Sequence, residues 1–279
     1  MATLTNTIQL GEVGLKVSDL NASVDFYHEI IGLDILTQGP SAATLGIDGK
    51  ALVALRHEPA YTASRIHYPG LYHVAILVPD EKDLGQLLIH FVRKGFGIDG
   101  AGDHVYSQAL YMHDPDGHGI EIYADRDRSL WKVNADGTIE TGTFSVDVER
   151  LLSLVDEEHF EGLPSKTKVG HFHLEVNNVD KFKEFFVDTL GMEVKTRFHG
   201  ALFVSKDGYH HHIAGNAWAR PAQDFLPDDI IGIDYYSIRV DNYDEMRESL
   251  QQTTYLSRDV EDGFMVQDGN GIWLKLVRQ

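Results

Sequence analysis

Four stretches of this chain repeat one pattern, and that repetition constrains the fold more than any single residue does. Each begins with a short alternating strand (12–17, 73–78, 171–176 and 235–240) and runs through a polar turn into an amphipathic helix. The helices carry apolar residues at three- and four-residue spacing, as in Leu84, Leu87, Leu88 and Phe91, or Phe182, Phe185 and Phe186. Such a helix buries one stripe on a sheet. Short strands follow, broken by Asp48-Gly49, Asp116-Gly117, Asp207-Gly208 and Asp268-Gly269, dipeptides that favour tight turns. The pattern predicts four β-α-β-β-β units, each too small to bury its own core and therefore paired. The expected fold is α+β, with the units paired into two curved mixed sheets.

Between residues 128 and 167 the pattern lapses, apart from a helical stretch near 148–154. The expected division is an N-terminal domain over 1–127 (units one and two), a connecting segment over 128–167, and a C-terminal domain over 168–279 (units three and four). With 43 acidic residues against 24 Lys plus Arg, the net charge of −19 disfavours nucleic acid and anionic membranes as partners. No apolar run approaches the length of a membrane span, and residues 1–7 lack the basic start and apolar core of a secretory leader, so a cytoplasmic protein is expected. The absence of cysteine removes thiolate ligands, disulfides and cysteine nucleophiles. Metal or acid–base chemistry would fall to the 15 histidines and the carboxylates.

Position sorts those histidines. Aligned by their last valine, the opening strands put Glu12, His73, His171 and Tyr235 at one equivalent place. Alternation sends Val74, Ile76 and Val78 to the helix-covered face and His73 to the other, together with His171, His173 and Glu175 of unit three. Glu121, in the alternating run Ile120-Glu121-Ile122-Tyr123, follows the turn Asp114-Pro115-Asp116-Gly117. A carboxylate among apolar strand residues must be solvated, paired or bound to a metal.

Gly102-x-His104, five residues, Leu110-Tyr111, two residues, Asp114-Pro115-x-Gly117, three residues and Glu121 match the signature of extradiol dioxygenases. With the four repeats, and with His210-His211-His212-Ile213 and Asn216-x-Trp218, the chain resembles the vicinal oxygen chelate superfamily, and within it the two-domain bacterial catechol 2,3-dioxygenases. The resemblance implies a 2-His-1-carboxylate triad holding Fe(II), with Mn(II) as the alternative. It assigns Glu121 as the carboxylate ligand and His73 as one histidine ligand.

In that family the signature lies in unit four and the site is built from units three and four. Here the signature lies in unit two, and Tyr235 and Trp273 stand in unit four where histidine and glutamate would be needed. Two arrangements follow. Units two and three together give His73, His171 and Glu121; units one and two give Glu12, His73 and Glu121, a set closer to glyoxalase. The first is the reading adopted.

The resemblance also makes Tyr111 and His104 substrate-side contacts and places an acid–base histidine in the run 210–212. The match to the family's His-x-Val-Ala selects His211, whereas strand parity selects His210 and His212; His211 and His212 are carried as candidates. The implied activity is Fe(II)-dependent extradiol cleavage of catechol-like rings, with a small aromatic diol and O₂ as partners and a homodimer possible. A glyoxalase I-like isomerase and a non-enzymatic ligand-sequestering protein are the alternatives on the same fold.

Overall fold

The computed structural model describes the chain except for residues 1, 6, 7, 157, 158 and 222, so part of the stretch read for a leader lies outside the described residues. Unit one supplies β1 (Ile8–Lys16), α1 (Leu20–Asp25), β2 (Asp34–Gln38), β3 (Ala42–Ile47) and β4 (Lys50–Arg56). Unit two supplies β5 (Gly70–Leu77), α2 (Glu81–Lys94), β6 (Gly100–Asp103), β7 (Ser107–His113) and β8 (Gly119–Asp125). After α3 (Val148–Ser153), unit three supplies β9 (Lys168–Glu175), α4 (Val179–Lys183), β10 (Glu193–Phe198), β11 (Ala201–Ser205) and β12 (Ile213–Asn216). Unit four supplies β13 (Gly232–Val240), α5 (Tyr243–Gln251), β14 (Ser257–Val260), β15 (Gly263–Gln267) and β16 (Trp273–Arg278).

Local chemistry explains the helices. Asp80 caps α2 and exchanges hydrogen bonds with Asp83 in a capping box, and Gly95 ends the helix in the left-handed conformation. Leu84, Leu87 and Phe91 form its buried stripe. α1 and α4 each continue as π-helical turns, over Phe26–Ile30 and Glu184–Thr189.

The strands form two eight-stranded sheets, ordered β14-β15-β16-β13-β1-β4-β3-β2 and β10-β11-β12-β9-β5-β8-β7-β6. Units one and four therefore share one sheet, and units two and three share the other. The halves 1–127 and 168–279 follow the chain, but each sheet takes one unit from each half. In every unit the opening and closing strands run parallel, and the two opening strands of a pair meet antiparallel at the sheet's centre.

The second sheet has two chemically distinct faces. Val74, Ile76 and Ile122 join the main core with the helices. Ala75, Ala109 and Tyr123 lie in a separate cluster with Tyr111 on the other face. That face carries the functional candidates.

The connecting segment is more than a linker. Trp131 and Ile139 bury against Tyr106 and Tyr209. The Ile139 N–H donates to Lys195 O at 2.9 Å, and Phe144 exchanges two backbone hydrogen bonds with Asp103, each 2.9 Å. The segment thus straps β6 of unit two to β10 of unit three. Among the described residues, no helix is long and apolar enough to cross a membrane.

Candidate metal centre

Strand register brings the candidate ligands together. β5 lies between β8 and β9, with Ala75 opposite Glu121 on one side and opposite His171 on the other. His73, two residues earlier on β5, shares their face. The result is a tight triangle: His73 Nε2 to Glu121 Oε2 is 3.0 Å, His171 Nε2 to the same oxygen is 3.3 Å, and the two Nε2 atoms are 3.3 Å apart. Adjacent donors around one ion with bonds of about 2.1 Å would lie at such separations. Among the described residues these three form a group able to hold a metal ion.

Charge supplies a second test of fit. Glu121 is 3 % exposed and has only imidazoles as ion-pair partners. Burial raises its pKa, but His171 and His73 more than offset that and hold the carboxyl well below its usual range. Burial in turn lowers the His171 pKa to about 4 against the opposing pull of Glu121. An ionised carboxylate beside two imidazoles is a ligand set, and its buried negative charge calls for a cation. Glu12 does not join it. Glu12 lies on the other sheet, where Tyr235 Oη and Lys275 Nζ reach its Oε1 at 3.2 and 3.5 Å.

The signature residues have structural reasons. Tyr111 pairs with Glu121 across β7 and β8. Its hydroxyl lies 2.6 Å from His104 Nε2, and His104 Nδ1 lies 3.0 Å from Gly142 O. A carbonyl only accepts, so Nδ1 carries the proton, Nε2 accepts, and the tyrosine donates. Burial, then Glu121, push the Tyr111 pKa up and keep the phenol protonated. Gly102 makes room for this pair, since a Cβ there would meet His104 Nε2 at 2.9 Å. Asp114 builds the turn by accepting from the Asp116 and His118 N–H groups at 2.9 and 2.8 Å, and Gly117 takes φ 86°. His118 is buried with its Nδ1 2.7 Å from Asp114 Oδ2; His113 is exposed and pairs with Asp99.

Of the run 210–212, one residue lines the cavity. Strand parity does not apply to it, because β12 begins only at Ile213 and the preceding residues form turns. His211 lines the cavity above the triad, its ring 4.1 Å from that of His171. His212 turns away, its Nδ1 2.9 Å from Ser205 Oγ and accepting from Lys206 N at 3.2 Å, so the candidate His212 does not reach the site. His210 is buried behind His211, with Nδ1 to Nδ1 at 2.8 Å and Nε2 to Asp125 Oδ1 at 3.0 Å. With Asp125 accepting from His210 Nε2–H, His210 Nδ1 accepts from His211 Nδ1–H, and His211 Nε2 is left as a base. Burial holds the His211 pKa well below that of a free imidazole.

Unit four needs a correction. Ser237, the counterpart of Ala75, pairs with Lys275, so Lys275 rather than Trp273 stands where Glu121 stands in unit two. Sequence reasoning also missed Asp125 and the backbone of Thr141, Gly142 and Thr143, which lines the cavity. His173, which alternation places on the face of His171, lines the cavity, as does Trp218. Phe225 is outside that lining and exposed.

Comparison with known proteins sets this geometry in context. A family model described as the Glyoxalase/Bleomycin resistance protein/Dioxygenase superfamily matches residues 9–122 and 168–264. The chain is 38% identical over 275 residues to a catechol-2,3-dioxygenase of Bacillus subtilis (strain 168), covering 96% of each protein. A Bacillus subtilis structure described as a presumed dioxygenase aligns with TM-score 0.66 at 13% identity, over 99% of this chain and 86% of the other. Glyoxalase I from Zea mays aligns with TM-score 0.60 at 15% identity, over 98% of this chain and 92% of the other. At such identities the structural likeness speaks for the fold alone.

Proposed function

The chain belongs to the glyoxalase/bleomycin resistance protein/dioxygenase superfamily and is an extradiol-type dioxygenase, and from that premise we propose that it opens catechol-like rings with O₂ at a metal held by His73, His171 and Glu121. The observation that carries the reading is the buried triangle itself: one carboxylate oxygen and two imidazole nitrogens within 3.3 Å of one another, with no lysine or arginine paired to the carboxylate among the described residues. Fe(II) is the proposed ion; bound there, it would acidify the hydroxyls of a catechol and relay electrons from the ring to O₂.

The chain's own residues handle orientation and protons. Tyr111 and His104 lie together beside the triad; turning the phenol O–H from His104 Nε2 to a substrate oxygen would let it donate there, while Gly142 O keeps the His104 ring oriented. The His211 ring lies 4.1 Å from the His171 ring, and its Nε2 is the proposed base for a catechol hydroxyl proton. Asp125 and His210 set the tautomer of His211 and stabilise it once protonated. Residues 141–143 of the strap and Trp218 form part of the cavity lining.

The test is anaerobic loading with Fe(II), then oxygen uptake and the yellow ring-fission product on addition of catechol. The expected result is stoichiometric O₂ consumption with product; no turnover across a panel of catechols and hydroquinones, with Fe(II) or Mn(II), would remove the proposal.

A further inference from the structure

The polar groups behind His211 come from two units. Asp125 ends β8 of unit two, whereas Tyr209, His210 and His211 lie in the turns that precede β12 of unit three. Tyr209 Oη donates to Asp125 Oδ2 at 2.8 Å, and Asp125 Oδ1 accepts from His210 Nε2–H at 3.0 Å. With its own hydrogen committed to the carboxylate, Tyr209 accepts from Tyr123 Oη at 2.7 Å. Gly170 leaves room for that second phenol, since a Cβ there would meet Tyr123 Oη at 2.0 Å. Burial, then Asp125, push the Tyr209 pKa up and keep the phenol a donor.

The pair His210 and His211, with Nδ1 atoms 2.8 Å apart, has two ways to share one hydrogen. When His211 Nδ1–H donates to His210, His211 Nε2 is left bare and can act as a base. When His210 Nδ1–H donates to His211, the His211 hydrogen moves to Nε2 and the base is lost. The second pattern also sets two acceptors, His210 Nε2 and Asp125 Oδ1, against each other at 3.0 Å. The carboxylate therefore selects the first pattern for as long as Oδ1 stays aimed at His210. Tyr209 holds that aim by fixing the other oxygen.

Resting on the proposed role of His211 in ring cleavage, we propose that Tyr209 is a positioning residue, whose hydroxyl aims Asp125 at His210 and so keeps His211 in the tautomer that can take a proton. Tyr209, Asp125 and His210 lie outside the cavity lining, so loss of the hydroxyl falls on kcat rather than on KM.

Tyr209→Phe removes the hydroxyl and keeps the ring, which packs 4.1 Å from His210 and 5.6 Å from Trp131 between centroids. In the Fe(II)-loaded protein, kcat on catechol per bound iron should fall roughly ten- to a hundredfold while KM stays within about twofold. Asp125→Asn should lower kcat at least as much, and in that background Tyr209→Phe should add less than about a twofold change, because the phenol acts through the carboxylate. A fall in kcat below about tenfold in Tyr209→Phe, whatever its thermal stability or iron content, would overturn the inference and leave ring cleavage standing. Effects of the two substitutions that multiply independently would overturn it as well. Wild-type protein that does not turn over catechol would remove both readings.

Discussion

The two sheets of this protein have the same strand order and opposite solutions to one electrostatic problem. Each buries a glutamate near its central strands. In the sheet of units one and four, Glu12 is met by Lys275 at 3.5 Å and Tyr235 at 3.2 Å, and Lys275 also pairs with Asp262 at 2.5 Å. In the sheet of units two and three, the ion-pair partners of Glu121 among the described residues are His73 and His171, with no lysine or arginine. Lys275 occupies the register position of Glu121, so one sheet carries a covalently attached cation where the other carries the carboxylate of the proposed ion site. The comparison teaches that the fold supplies a place for charge, and the side chains decide whether the chain or a metal fills it.

The strongest way to break the comparison is to remove the ligand set. Glu121→Gln or His171→Ala should lower ring-cleaving activity by on the order of a thousandfold and abolish stoichiometric metal binding. Metal analysis beside oxygen uptake checks this, and full metal occupancy in the His171→Ala protein would return the site to another set of ligands.

A constructive version converts one sheet toward the other. Tyr235→His with Lys275→Glu would give the first sheet one histidine and two carboxylates. The expected metal content is two ions per chain in place of one. A folded double variant that still binds a single ion would show that side-chain identity alone does not separate the sheets.

Next in size is the loss of the built-in cation. Lys275→Met leaves Glu12 buried without its partner and should cost about 3 to 5 kcal/mol of stability. Denaturant unfolding measures the loss. Activity per metal-loaded folded molecule should stay within about twofold, because Lys275 has no contact with the second sheet's cavity.

The turn preceding the last strand of a unit gives the smallest and most pH-sensitive contrast. Asp114 and Asp268 both accept backbone N–H groups in equivalent turns, but the residue four positions on is His118 in one and Ile272 in the other. Burial opposes ionisation of Asp114, yet His118 holds its pKa down; burial without a partner raises Asp268 to about 7. Asp268 is therefore raised above its unfolded value, so its stabilising contribution is complete below about pH 4 and is lost as the pH rises through 7. Asp268→Asn should remove that dependence and make the protein more stable than wild type above pH 7, by a few kcal/mol at most on the order of one shift of this size. Thermal unfolding at pH 5 and pH 8 reads it, and an unchanged pH slope would exclude Asp268 as its source.

Much of this comparison was legible in the repeats. Equivalence of the four opening strands placed His73, His171, Glu12 and Tyr235 at one position, and only His171 among the last three could complete a two-histidine set with units two and three paired. Lys275 was missed because locating it needs the parallel register of β13 with β16, and Trp273 is two residues off that register. The choice within 210–212 failed as a parity argument because turns, unlike strands, do not alternate faces. The Gly142 carbonyl that orients His104 has no side chain to announce it. Asp125 differs again: its role depends on a histidine brought in from 85 residues away.

The central claim is that one sheet holds an ion because its buried glutamate has no cation of its own. Metal content per chain, measured on the wild type, Glu12→Gln and His171→Ala after identical Fe(II) loading and desalting, tests it most directly. The account predicts one ion per chain in the first two proteins and none in the third. Retention of the ion by His171→Ala, or its loss from Glu12→Gln, would contradict the account.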